Sequence, residues 1–424
     1  MVTISDGLGF EKLITLAEAV PMDFPEQKTM KQTPDIDRVS LEELELAYLK
    51  HPIIFNAINK SVQSIMSAGW ELRAKDPKVL AYFKNFIDSV GKVGENVTFE
   101  EILESIFQYQ MIYGNTYIET VLGKHTNDPN NIVDLVILDP KRMDYAKKAD
   151  GKISLDKYCK PVGYIQQWPF EVDPNNQGDT LPDNSEVSLD PNQIFLLPER
   201  ICLFKLYTFG DRFYSIGLAE AAYKSILYEL SIKKAHYNSV EQKGEPPIID
   251  YVGDQFHQPT PQQIQNSVET MKKFKYNRYF AFPYWHKVEP LNYKPNDIIL
   301  DSLKYLREDI ASSVGMPLSF AIGSGEDTNR STLATQHLFL ASTLNNIVKK
   351  TLSTLRKNIF ERICKFNKFD EVPEIVWNHI GVEEINDKAK RLTEYVKAGS
   401  LSPTDEGLTD YIKQSERLKP YQET

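Results

Sequence analysis

Cysteine is scarce: the 424 residues hold three, Cys159, Cys202 and Cys364, far apart and with no CxxC pair. That excludes a disulfide framework, and the thiols read as buried side chains of a protein made in a reducing compartment. The seven histidines show no HExxH or HxH spacing, so the sequence offers no metal site and calls for no cofactor. Long hydrophobic runs are missing too. No stretch of about 18 apolar residues occurs, which excludes a membrane-spanning helix. "MVTISDGLGFEKLITLAEAV" lacks the basic start and apolar centre of a secretory signal, so the chain is read as cytosolic or assembled in the cytosol. Positive charge is also in short supply. A formal net charge of −10 argues against a protein that grips nucleic acid over its whole surface. It leaves room for one that surrounds DNA without gripping it.

What is present is a folded-protein composition, 41% hydrophobic and 25% charged. The length suits two or three structural units or one elongated subunit. Residues 1–34 mix short apolar runs with Pro21, Pro25 and Pro34 and read as a loosely packed arm. From Leu41 the pattern is helical. "PIIFNAINKSVQSIM" sets Ile54, Ile58, Val62 and Ile65 on one stripe, and "GWELRA" reads as a short strand. A second helix over about 77–90 would turn Leu80, Phe83 and Ile87 to one face. Thr98 followed by Glu101 predicts a capping box opening a third helix, which Gly114 ends.

The period then changes. "NTYIETVL", "IVDLVIL", "VGYIQQWPF" and "RICLFKLY" are β-branched and aromatic runs between Asp-Pro, Asp-Gly and Asn-rich turns, so 115–207 is mostly strand. Residues 171–193 are polar and rich in Pro, Asn and Asp, an exposed excursion. From Ser215 a long helix runs to Gly244, where Pro246 and Pro247 follow. A unit of about fifty residues comes next: strand "PPIIDYV", a helix opening on Pro261, then "RYFAFPY" and "HKVEPLNY" as a hairpin. A helix over about 296–314 follows, with Leu303, Leu306, Ile310 and Val314 on one side. Residues 331–366 hold no Pro or Gly and predict one helix of roughly 54 Å at about 1.5 Å per residue. The tail adds a short strand, "EIVW", and small helices around "SLSPTDEGLTDYI".

Several motifs invite a chemical reading. "GSGEDTNRST" looks like a phosphate cradle, but it lacks the Gly-Lys-Ser/Thr of a Walker loop and puts Glu326 and Asp327 where phosphate would sit. Asp301/Asp309 and Glu42/Glu43/Glu45 have helical spacing on charged faces and read as solvated, not catalytic. No nucleophile elbow occurs. His125 with Asp128 fits Asx-turn chemistry, and His337 reads as a packing residue of the long helix. The densest basic cluster is Lys272, Lys273, Lys275 and Arg278, with Phe274 and Tyr276 interleaved. It suits phosphates and bases, and equally the solvated C-terminal end of an amphipathic helix.

Taken in order, a long helix, a small α/β insert, a returning helix, a Gly/Ser-rich loop and a very long helix resemble the portal (head–tail connector) proteins of tailed bacteriophages, Mu-like portals included. Local segments are similar too: "YGNTYIETVL" with "LVILDPKRM", "FYSIGLAEAAYKSI", "REDIASSVGMPLSFAIGSGEDTNRSTLATQHLFL" and "VKAGSLSPTDEGL". The resemblance spans roughly residues 40–410 and implies an elongated α+β subunit. Its implied parts are an arm (1–40), a mixed α/β wing (41–214), stem helices (215–245 and 296–315), a clip (246–295), a tunnel loop (316–330), a long wing helix (331–369) and a reduced crown (370–424). It implies no enzyme but a ring, usually of twelve subunits, at one capsid vertex of a virion. Double-stranded DNA would pass through it, the clip would meet the terminase large subunit and later head-completion or adaptor proteins, and the wing would meet the major capsid protein. The implied tunnel-loop residues are Phe320, Gly323, Ser324, Gly325, Asn329 and Arg330, and the basic cluster falls in the clip. Leu218, Ala222, Ile226, Leu303, Leu306 and Ile310 would pack the stem within or between subunits. The rival readings are a nucleic-acid-processing enzyme with the basic cluster as its groove, and a minor capsid or head protein.

Overall fold

Helix α1 (Leu41–Lys50) starts where the Ser40 hydroxyl accepts the Glu43 N–H, and α2 (Pro52–Ala68) follows after the single residue His51. The expected stripe of α2, Ile54, Ile58, Val62 and Ile65, is buried. The computed structural model describes residues 38–92, 97–123, 128–171, 178–182, 187–210, 212–244, 248–253, 256, 258–273, 286–290, 298–322, 330–380, 393–394 and 397.

Strand β1 (Trp70–Arg73) leads to α3 (Pro77–Ser89), capped by Asp76. Its buried face is Val79, Phe83 and Phe86; of the expected Leu80, Phe83 and Ile87, only Phe83 is fully buried, and Leu80 and Ile87 are partly so. The helix is rotated so that Phe83 meets Phe360 at 4.8 Å and Phe86 lies against Phe83. Aromatic volume outweighed the aliphatic pattern. Helix α4 (Phe99–Tyr113) has the expected capping box and ends at Gly114, which has φ 81.

Strand β2 (Asn115–Leu122) is the centre of an antiparallel sheet between β3 (Ile132–Leu138) and a later strand, β7 (Ile201–Lys205). Ile118 stands opposite both Ile137 and Cys202. A second antiparallel sheet joins β4 (Met143–Tyr145), β5 (Tyr164–Gln167) and β6 (Gln193–Leu196). The polar excursion before β6 is only partly exposed where described: Val187 and Leu189 pack against a small cluster with Phe195, and Asp179 accepts hydrogen bonds from Leu197 N–H and from Arg200, which also pairs with Glu119.

The cysteines divide. Burial pushes the Cys202 thiol up to about 12 and Cys364 to about 11, so both behave as apolar core groups. Cys159 is exposed, against expectation. It sits with φ 59 at the tip of a turn where the Asp156 carboxylate accepts the N–H groups of Tyr158 and Lys160, leaving its side chain nothing to pack on.

Helix α5 (Leu218–Gly244) runs out to β8 (Ile248–Val252), α6 (Pro261–Lys273) and β9 (His286–Pro290), and α7 (Ile298–Ser313) returns. β9 pairs antiparallel with β8, Tyr251 opposite Lys287. The expected partner "RYFAFPY" lies outside the described residues. α7 ends at Gly315 (φ 71), the short α8 (Leu318–Ile322) follows, and α9 (Arg330–Leu355) begins the long helix. A π turn at Arg356–Phe360 joins it to α10 (Glu361–Asn367). The long helix is thus continuous, and Ile359, Phe360, Ile363 and Cys364 all face the core. β10 (Glu374–Trp377) closes the fold by pairing with β1, Trp70 opposite Trp377. One hydrophobic core spans α1 to α4, the base of α5, α7 and the α9–α10 helix. The tail helices expected around "SLSPTDEGLTDYI" lie outside the described residues.

Candidate functional site

The two helices α5 and α7 form an antiparallel strut. Ser225 donates to Asp309 while Glu229, one turn further out, accepts from Arg307, so the partners run in opposite directions. Ala222, Ile226, Leu303, Leu306 and Ile310 are buried, with Ala222, Ile226 and Ile310 in the core shared with the body, and Leu218 is partly buried at the strut's foot. All six are therefore covered, wholly or partly, by their own chain.

The strut starts where two glycines meet. Gly114 ends α4 and Gly217 precedes α5, and a Cβ on Gly114 would lie 2.8 Å from the Gly217 nitrogen and 2.3 Å from the Ser215 oxygen. Asn115 accepts the Ser215 N–H at 3.3 Å. The segments "YGNTY" and "YSIGLA", a hundred residues apart in sequence, cross here at backbone distance.

A charged cluster, absent from any sequence motif, fixes the strut to the body. Glu229 is fully buried. Its carboxylate meets His51 Nε2 at 2.5 Å, Lys233 Nζ at 2.9 Å and Arg307 Nε at 3.1 Å. Burial pushes this carboxyl up, but the hydrogen bonds from His51 and Lys233 outweigh it and hold the group at about 2. His51 is the one-residue link between α1 and α2, so a single carboxylate ties that corner to both strut helices. The only sequence signal was a Glu on the apolar side of α5, three residues after Ile226 and one before Leu230.

The carboxylates set aside as solvated also have partners: Asp309 with Ser225, Glu43 with Tyr223, and Glu45 with Lys141 at 2.8 Å. They bridge elements. Among the described residues, no group of three or more His, Cys, Asp or Glu could hold a metal ion, and no helix is long and apolar enough to cross a membrane.

At the foot of the strut, Phe320 lies in α8 rather than in a loop. Lys60 on α2 donates to the Phe320 carbonyl at 2.7 Å and Asn56 to that of Ala321 at 3.5 Å, while the Phe320 ring stands edge-on to His337 at 5.7 Å. Arg330 opens α9. Gly323, Ser324, Gly325 and Asn329 lie outside the described residues. At the far end of the strut, Lys272 is exposed near the C-terminus of α6 and Lys273 closes that helix. Lys275 and Arg278, with the interleaved Phe274 and Tyr276, lie outside the described residues.

The arrangement resembles a set of solved structures. A chain of a native gene transfer agent (GTA) virion matches with TM-score 0.55 and 14% identity, over 97% of this chain and 99% of that one. The neck of an empty GTA particle computed with C6 symmetry gives TM-score 0.57 and 13% identity, over 92% and 96%. The neck of a native GTA particle computed with C12 symmetry gives 0.54 and 15%, over 87% and 90%. At these identities the likeness is one of fold. No curated protein sequence matches. The sequence itself matches the family described as phage portal protein over residues 52–406. That span takes in the glycine crossing, the strut, α8 and the long helix, and on it the chain belongs to the phage portal protein family.

Proposed function

We propose that copies of this chain close into a ring of twelve at one vertex of a virion capsid, and that double-stranded DNA passes through the centre during packaging and ejection. The strut is the stem, β8, α6 and β9 are the clip, and the segment from Met316 to Arg330 faces the channel as the tunnel loop. The observation that carries this reading is the antiparallel α5–α7 strut, with its small α/β unit at one end and α8 feeding the long helix at the other.

The electrostatics suit sliding. DNA carries one charge per about 1.7 Å, and a strongly cationic lining would hold it by counterion release. A chain of net charge −10 avoids that trap. The glycines Gly323 and Gly325 give the tunnel loop backbone freedom around a moving duplex. The clip presents Lys272 and the exposed Ile264 and Val268 of α6 to the terminase large subunit and then to head-completion or adaptor proteins. The sheets and helices of the wing meet the major capsid protein.

Negative-stain microscopy of the purified full chain tests the reading: closed rings with a central channel are expected, and monomers would overturn it. Deleting residues 323–328, which spares α8, is expected to leave rings intact while reducing the DNA packaged per particle. Normal packaging in that deletion would remove the loop from the mechanism.

A further inference from the structure

From Ser331 to Val348 the sequence holds no Asp, Glu, Lys or Arg. This stretch lies in α9, and its outer face is open: Leu338 is 63% exposed and Phe339 71%. Thr335, Ser342, Thr343 and Asn346 are exposed beside them, one neutral stripe at helical spacing. Along its edge runs a groove of about 400 Å³, walled by Met316, Pro317 and Leu318 on one side and Phe339 and Leu340 on the other, with Glu308 of α7 the one charged residue in its lining.

A solvated helix face ordinarily carries charge, as α9 itself does from Lys349 onward. Charge depletion around an exposed aromatic is the composition of the desolvated centre of a protein–protein contact. A polynucleotide does not fit, because no cation on this face would meet a phosphate. A second copy of the chain does. In a closed ring every subunit presents two different surfaces, one to each neighbour, and the contact is permanent. Resting on the ring reading above, we propose that the face of α9 around Leu338 and Phe339, with its groove, is a contact between adjacent copies of this chain. Each copy seats an apolar side chain of its neighbour between Phe339 and Met316–Leu318.

The test uses the full chain with the photo-cross-linker p-benzoylphenylalanine at position 339, assembled from an equal mixture of ¹⁴N and ¹⁵N protein. Irradiation is expected to give a ladder of covalent multimers whose cross-linked peptides mix the two isotopes. Rings that yield no ladder, or only cross-links within one copy, for example to residues 381–424, overturn the proposal. In parallel, Leu338→Asp and Phe339→Asp are expected to lower the ring fraction at least about tenfold, the scale of losing an aromatic anchor. Both side chains are exposed, so the circular dichroism spectrum and melting of the monomer should stay unchanged. Variants that form rings as the wild type does overturn this interface and leave the ring reading standing. A wild type that stays monomeric overturns the ring reading, and this contact with it.

Discussion

Helices α4 and α6 begin with the same device and end in opposite environments. In α4, Thr98 and Glu101 cap each other; in α6, Thr260 and Gln263 do so, with Gln263 Oε1 accepting the Thr260 N–H at 2.8 Å. Yet α4 buries nine side chains, from Phe99 to Tyr113, whereas along α6 only Ser267 is buried among the residues whose exposure is described. Ile264 and Val268 of α6 stay 47% and 49% exposed. A cap decides where a helix starts; it says nothing about what will cover it. The core tapers in the same way along α5, where Ala222, Ile226 and Leu230 are buried and no described side chain beyond Leu230 is. The body is held by its own chain, and the tip leaves apolar surface for something else.

The sharpest break of this contrast is a matched pair of truncations. Phe107 is fully buried and meets Trp377 edge-on at 5.6 Å. Phe107→Ala is expected to cost about 3–5 kcal/mol of stability, read as a fall in the urea midpoint at fixed protein concentration. Val268→Ala in α6 should stay within about 0.5 kcal/mol in the isolated chain. A large loss at Val268 would mean that the tip is packed after all.

Glu229 lies at the border between the two regimes, and its removal comes next in size. Glu229→Gln takes the negative charge from Lys233, Arg307 and the His51 ring in a buried setting and is expected to cost about 3 kcal/mol. Acid sensitivity follows by sign. The folded carboxyl titrates at about 2, below its ordinary value near 4.5. Its contribution is therefore complete above about pH 4.5 and drains away as pH falls toward 2. A urea midpoint followed between pH 6 and pH 3 should fall less steeply in the Gln variant than in the wild type. Equal slopes would show that the cluster does not couple strut to body.

That cluster also marks the limit of what the sequence discloses. Periodicity displayed the α2 stripe, the Thr98 cap, the Gly114 stop and the β2, β3 and β7 runs, because each is written in neighbours. His51 and Glu229 stand 178 residues apart, and β1 pairs with β10 across about 300 residues. No local pattern announces either. The three-residue β4 and four-residue β6 are too short for an alternation to show. The buried face of α3 departs from its aliphatic pattern for a related reason, since Phe360 comes from the far end of the long helix to claim Phe83. The candidate site divides likewise: the two helices of the strut are legible, while the charges that lock it are not.

Cap removal sharpens the comparison at a smaller scale. Thr98→Ala and Thr260→Ala each delete one hydroxyl that serves the first turn of a helix and should cost that helix about 1 kcal/mol. The readouts should differ. In α4 the loss adds to global unfolding, because that helix opens only when the core does. In α6 it should appear as faster amide exchange confined to the first turn, with the urea midpoint unmoved. Equal global losses would make α6 part of the cooperative core.

The smallest effect concerns α8, which belongs to neither class. With five residues it cannot sustain itself by propagation. Its carbonyls at Phe320 and Ala321 are instead held by Lys60 and Asn56 from α2, and its Phe320 ring leans on His337 of α9. Lys60 is exposed, so its ammonium gains little from the contact in free energy and the fold does not depend on it. What it supplies is position, fixing the last carbonyls of α8 just before the chain enters the proposed tunnel loop. Lys60→Met keeps the stem and removes the donor. The expected outcome is an unchanged urea midpoint with several-fold faster hydrogen exchange at the amides of Phe320 and Ala321, which bond back to Pro317. Lys60→Arg, which can still donate, should restore the slow exchange. If exchange there is as slow in the Met variant as in the wild type, the packing of Phe320 alone holds α8, and the helix joins the core-buried class with α4.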